Sequence, residues 1–309
     1  ISLKKSDGTN GSLLNNYEFT NLPTGYSFDA ANGTLSRTVA NGTIDKRKVY
    51  AHVKDVSKLY NADIDVRGGS GNGHLLSSSE LVTFDNKLNG TAVDDTGLIE
   101  AHKSLNATTA SYRDKTAGTG NKTVDYTLSI DSDPTIAGNY VLHDGKTGAA
   151  VPVVSGKYVL TTTTNTIKKA ALTVRQDPGS PVSKSYDGGV TVEDGDGRLL
   201  LDNGLTDENG NQDIVSLTPY PTGSPTPANA YTLTYNSPNV TNAATAKNNV
   251  TYKHLQLTGT AAGNYYLADA GGTALAADTT AGYFTMTGDG AITPLKVTKD
   301  RFKLNFRTA

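Results

Sequence analysis

Apolar residues recur at every second position over much of this chain. The segments "VDYTLSI" (124–130), "GKYVLTT" (156–162), "AALTV" (170–174), "AYTLTY" (230–235) and "HLQLTG" (254–259) alternate apolar with polar residues or carry β-branched runs. That is the spacing of a strand with one buried face. Clusters such as "GNGH", "DGK", "DGDG", "DNG" and "ENGN" punctuate them and supply turn chemistry. No segment keeps a helical period beyond about two turns. The pattern predicts an all-β fold of antiparallel, immunoglobulin-like β-sandwich domains in tandem, with "RGGSGNGHLLSSSE" (67–80) and "PYPTGSPTPANAY" (219–231) as long loops.

The strands belong to a repeat. "TIAGNYVL" (135–142) returns as "TAAGNYYL" (260–267), and a weaker copy, "LLNNYEF", lies at 13–19; Tyr17, Tyr140 and Tyr265 stand 123 and 125 residues apart. The isoleucines of "GTIDKRKVYAHV", "NTIKKAALTV" and "GAITPLKVT" (Ile44, Ile167, Ile292) keep the same interval, and Tyr60 of "SKLYNADIDV" precedes Tyr186 of "SKSYDGGVTV" by 126. Independent landmarks at one period define a unit of about 125 residues. The expected division is the C-terminal part of a preceding unit at 1–52, full units at 53–175 and 176–298, and the start of another at 299–309. No Pro/Gly/Ser linker separates the units, so neighbours are expected to be joined stiffly.

Composition sharpens this. The 309 residues hold no cysteine or tryptophan and carry a net charge of −2 with both signs interspersed. No disulfide can form, and no basic stripe exists to follow a phosphate backbone, which argues against a nucleic-acid partner. No apolar run approaches the roughly 18–20 residues of a membrane-spanning helix. Residues 1–12 have none of the features of a secretory signal, so the chain reads as a mature fragment or a piece of something longer.

Candidate chemistry is sparse. Ser57-Lys58 and Ser183-Lys184 resemble nucleophile pairs, but adjacent strand residues face opposite ways, and no catalytic set or enzyme activity is expected. Asn139 and Asn264 each follow glycine and precede tyrosine, a turn signal; the sharper alternative is an isopeptide cross-link of Lys58 or Lys184 with Asn139 or Asn264. Asp207, Asn209, Asn211 and Asp213 alternate as calcium ligands do, against an ordinary polar turn. Glycine is missing from the sixth position of that loop and glutamate from the twelfth. Tyr220, Tyr231 and Tyr283 are candidate platforms for sugar rings. The five histidines have no zinc spacing.

The ordered set "SKSYDGG", "DIVSL" (213–217), "GTAAGNYYL" and "GAITPLKVT" resembles the YDG-type repeat of large bacterial adhesins of the filamentous haemagglutinin kind, which is related to the bacterial Ig-like MBG modules. "SYRDKTAGTGNKTV" (111–124) carries the likeness into the upstream unit, which departs from it by having Asn61-Ala62 in place of Asp-Gly. The resemblance implies a structural stalk segment of an exported protein on the bacterial surface, supporting cell adhesion. It implies partners among neighbouring repeats and surface glycans or proteins, and no required cofactor. The alternative is a glycan- or calcium-binding module acting through the loops of the second repeat.

Overall fold

The computed structural model describes residues 22–29, 34–37, 42–68, 74–85, 87–88, 91–92, 109–129, 137–192, 196–219, 230–242 and 244–298. Two short strands, β1 (Tyr26–Asp29) and β2 (Thr34–Arg37), pair with each other. The first large set then runs β3 (Arg47–Val53), β4 (Ser57–Leu59), a single helical turn α1 (Ser78–Leu81), β5 (Val82–Asp85), β6 (Lys87–Leu88), β7 (Thr91–Ala92), β8 (Thr109–Tyr112), β9 (Gly118–Leu128), β10 (Tyr140–Asp144), β11 (Val153–Val154) and β12 (Lys157–Lys168). The second runs β13 (Ala170–Gln176), β14 (Val182–Ser185), β15 (Leu199–Leu201), β16 (Ser216–Leu217), β17 (Thr232–Tyr235), β18 (Val250–Leu255), β19 (Leu257–Thr258), a 3-10 turn at Ala262–Asn264, β20 (Tyr265–Ala268), β21 (Ala276–Ala277), β22 (Phe284–Gly288) and β23 (Gly290–Thr293). The fold is all-β.

Pairing repeats at the sequence period. β3 lies between β10 and β5, as β13 lies between β20 and β15; β8, β9 and β12 pair in series, as β17, β18 and β22 do. β4 joins the end of β12 in the register Lys58↔Ile167, and β14 joins β23 in the register Lys184↔Ile292. Hydrogen bonding of β3 to β5 and β10 attaches residues 47–52 to the first full unit, a few residues before the expected start at 53; β13 likewise belongs with the second. The sheets are mixed and not purely antiparallel. β3–β10, β4–β12, β13–β20 and β14–β23 are parallel, because each joins strands from opposite ends of a unit, which no hairpin connects.

Alternation decides which side chains enter the core. In β9, Lys122, Val124, Tyr126 and Leu128 point inward; in β13, Ala170, Leu172 and Val174 do. The segment 254–259, expected as one strand, is broken. His254 takes a left-handed conformation (φ 62°) and the β18–β22 register shifts between Tyr252 and Leu255. The chain beyond this bulge leaves for a second partner, β16.

Among the described residues, the buried hydrophobic side chains form two clusters. One is confined to the second unit, around Val182, Tyr231, Val250, Tyr252 and Ile292. The other begins with Val49, Tyr60, Tyr112 and Ile167 of the first unit and continues into Ala170, Leu172, Ala261 and Tyr265 of the second. The first core therefore runs through the junction, where one residue, Lys169, separates β12 from β13.

Candidate functional site

Each unit buries a lysine at the same place. Lys58 is on β4 and faces inward while Ser57 faces out; Lys184 and Ser183 divide the same way on β14. The Lys58 ammonium donates to Asn61 Oδ1 (2.7 Å), the Asp63 carbonyl (2.7 Å) and Asp65 Oδ1 (2.9 Å) and lies 5.2 Å from the centre of the Tyr112 ring. Lys184 donates to Asp187 Oδ1 (2.7 Å) and the Gly189 carbonyl (2.8 Å), 5.3 Å from the Tyr235 ring. Tyr112 and Tyr235 in turn donate from their hydroxyls to the final long strand or its continuation, at the Thr166 and Ala291 carbonyls. The loop closes over the lysine through a left-handed residue, Gly188 (φ 80°) in one unit and Ala62 (φ 68°) in the other. Burial pulls the Lys58 ammonium below its ordinary range, against the hydrogen bond and charge of Asp65. Burial also opposes the Asp65 charge, but hydrogen bonds from Asn61, Lys58 and Arg67 hold its carboxyl below the usual carboxylate range.

The second construction lies at the junction. Asp213, in the loop before β16, accepts on one oxygen, Oδ2, the hydroxyls of Tyr60 from the first unit (2.8 Å) and Tyr265 from the second (2.6 Å). The two rings meet edge to face at 5.4 Å. Around this centre, Asn264 Oδ1 accepts from the Ala117 N–H (2.9 Å), Asp207 Oδ2 from Lys115 (3.1 Å), and Asp63 Oδ1 from the Glu208 N–H (3.0 Å). Loop 204–214 holds its course because glycine stands where it crosses its neighbours. A Cβ on Gly204 would lie 2.6 Å from the Asp213 carbonyl oxygen, and one on Gly259 (φ 104°) 2.4 Å from that of Ile214.

These contacts reassign the residues singled out by sequence. Asp207, Asn209, Asn211 and Asp213 do not converge on a shared cation. Asp207 Oδ1 accepts the N–H groups of Asn209 and Asn211 in a polar turn, its other oxygen meets Lys115, and Asp213 faces the two tyrosines. The Asn211 backbone bond, with help from Lys115, draws the Asp207 carboxyl down to about 2. Among the described residues no group of three or more His, Asp or Glu side chains is placed to hold a metal. Of the isopeptide candidates, Lys58 and Lys184 are engaged within their own loops and the Asn264 side chain accepts from the Ala117 N–H. Tyr231 is a core residue whose hydroxyl accepts from Leu199 N–H, so it cannot stack on a sugar. Tyr283 is half-buried with its ring edge-on to His254, and Tyr220 lies outside the described residues. Sequence reasoning missed Lys115 altogether and read Tyr60 and Tyr265 as landmarks of the repeat. The signal available was their place at opposite ends of a unit.

The junction is expected to be sensitive to alkali. Burial, then the hydrogen bond to Asp213, pushes the phenols of Tyr60 and Tyr265 well above the ordinary value of 10. A phenol with a raised pKa contributes stability in full below about pH 10 and loses it as pH rises, because the unfolded chain ionises first. Urea midpoints are expected to hold from pH 8 to 9.5 and fall beyond 10, with a shallower fall in Tyr60→Phe/Tyr265→Phe. An equal fall in that variant would locate the alkaline loss elsewhere.

No protein-family model, curated protein or solved structure matches this chain.

Proposed function

We propose that the chain is a stalk segment of an exported bacterial surface adhesin, built from tandem immunoglobulin-like β-sandwich repeats of the YDG/MBG kind that its sequence resembles. Its work is mechanical, holding a binding tip at a distance from the surface and transmitting force between units. The observation that carries this reading is the junction: a hydrophobic cluster continuous from Tyr60 and Ile167 to Leu172 and Tyr265, sealed by Asp213 and spanned by one linking residue. Flexible modules are joined by long polar linkers and share little buried surface. Here bending would tear a core. Stability should be the sum of unit and interface terms, as in other one-dimensional repeats.

The absence of cysteine makes the test direct. Spin labels on Lys146→Cys in the first unit and Lys253→Cys in the second, both exposed positions, should report a single narrow distance distribution at all salt concentrations. A broad distribution, as from two beads on a string, would refute the stalk.

A further inference from the structure

The second unit repeats the construction that seats its neighbour. Tyr60 N–H donates to the Lys168 carbonyl at 2.8 Å, and Tyr186 N–H donates to the Thr293 carbonyl at the same distance; the strand pairs beneath are in the same register. Yet Tyr60 is 1% exposed and Tyr186 42%. The residues that follow diverge in the same sense. Ala170 and Leu172 of β13 are buried, whereas their counterparts one period on, Leu295 and Val297, are 45% and 65% exposed in an extended segment that pairs with nothing among the described residues. Val240, beside the Thr241–Ile292 hydrogen bond, adds a further exposed side chain at this end. An apolar face rimmed by polar groups marks an interaction site. The first unit supplies what covers it, since the matching face there is covered by the second unit.

We propose that the Tyr186, Leu295 and Val297 end of the second unit is the docking face for a further unit of this same fold. That unit takes 294–298 as its first strand, pairing it as β13 is paired by β15 and β20, and sets a carboxylate against the Tyr186 hydroxyl as Asp213 is set against Tyr60. The rim differs from the first junction: Gly189 replaces Asp63, and Pro238 replaces Lys115. The polar contacts to Glu208 N–H and Asp207 are therefore not repeated, and apolar contact with the central tyrosine carries this second joint. The proposal rests on the stalk reading and extends it to a particular surface.

The probe is tyrosine nitration by tetranitromethane, mapped by peptide mass. In the 309-residue chain, Tyr186 is expected to react while Tyr60 stays protected. Residues 174–298 are then placed a second time directly after Thr298, so that 294–298 stand as the first strand of the added unit, with the exposed changes Ser183→Thr and Lys253→Arg in the second copy to distinguish its peptides. Nitration of the first-copy Tyr186 should be lost, and should return when the second copy carries Asp213→Ala, and to a smaller extent with Asp213→Asn. Continued reaction of Tyr186 while the second-copy Tyr252 is protected would overturn the proposal, because a folded neighbour would have left the face bare. Reaction of second-copy Tyr252 would overturn it too, since the face would have failed to seat its unit. Protection of Tyr186 in the 309-residue chain that grows with concentration would identify a second copy of the chain as the occupant instead. Tyr60 remaining protected throughout would confine any of these failures to the second joint and leave the stalk standing.

Discussion

Asp213→Ala is expected to cost about 3 kcal/mol and to separate the unfolding of the two units, since one carboxylate oxygen serves two largely buried hydroxyls and a lost charged partner costs about 1.5–3 kcal/mol per bond. The hydroxyls of Tyr60 and Tyr265 cannot satisfy each other fully. Tyr60 lies in the first unit and Tyr265, like Asp213, in the second, so the bond to Tyr60 is lost from the interface and the bond to Tyr265 from the second unit beside it. Two consequences should appear together: the single urea transition splits, and the label distances across the junction broaden. Asp213→Asn keeps an acceptor in place without its charge and should lose roughly half as much, on the same scale of neutral against charged bonds. A variant that lost stability with unchanged distances would place Asp213 inside the second unit's own folding and remove it from the joint. Salt offers an independent control. The partly exposed pair Lys115–Asp207 should weaken with ionic strength more than the tyrosine–carboxylate centre does.

Much of this arrangement was legible in the chain. Two-residue alternation located the long strands because each has one face in a core, as in Lys122, Val124, Tyr126 and Leu128. The period near 125 residues was legible because equivalent residues do equivalent work: Lys58 and Lys184 occupy matching cages, and Tyr112 and Tyr235 tether matching strands. The sequence could not say that Tyr231 is internal, since an alternating strand does not state which of its faces a second sheet will cover. Nor could it separate calcium ligands from a polar turn at 207–213. Oxygen spacing is the same for both, and the deciding partner, Lys115, is 92 residues away. Parallel pairing was hidden for a related reason. A hairpin leaves a local turn signal, whereas β4 against β12 depends on contacts across a whole unit.

Lys58→Ala is expected to destabilise the first unit by about 3–5 kcal/mol, the range for removing one member of a buried ion pair, and Lys184→Ala to cost the second unit clearly less. The two lysines are equally enclosed, with 0% and 2% of their side chains exposed, so the difference lies with the groups they leave behind. Asp187 is 59% exposed and can return to water when its lysine is gone. Asp65 is 23% exposed, still bound by Arg67 and Asn61, and the Asn61 and Asp63 oxygens that shared the ammonium lose a donor at the same time. Lys58→Met separates charge from packing: its thioether can keep the contact with the Tyr112 ring, so it should cost less than alanine while still leaving those oxygens unsatisfied. Urea titration of each variant, followed by exchange protection in β4–β12 and β14–β23, would give the order Lys58→Ala, Lys58→Met, Lys184→Ala from most to least damaging. Equal losses for the two alanine variants would mean that the ring contact dominates. The carboxylate's move from position 187 in one unit to 65 in the other would then have no energetic meaning.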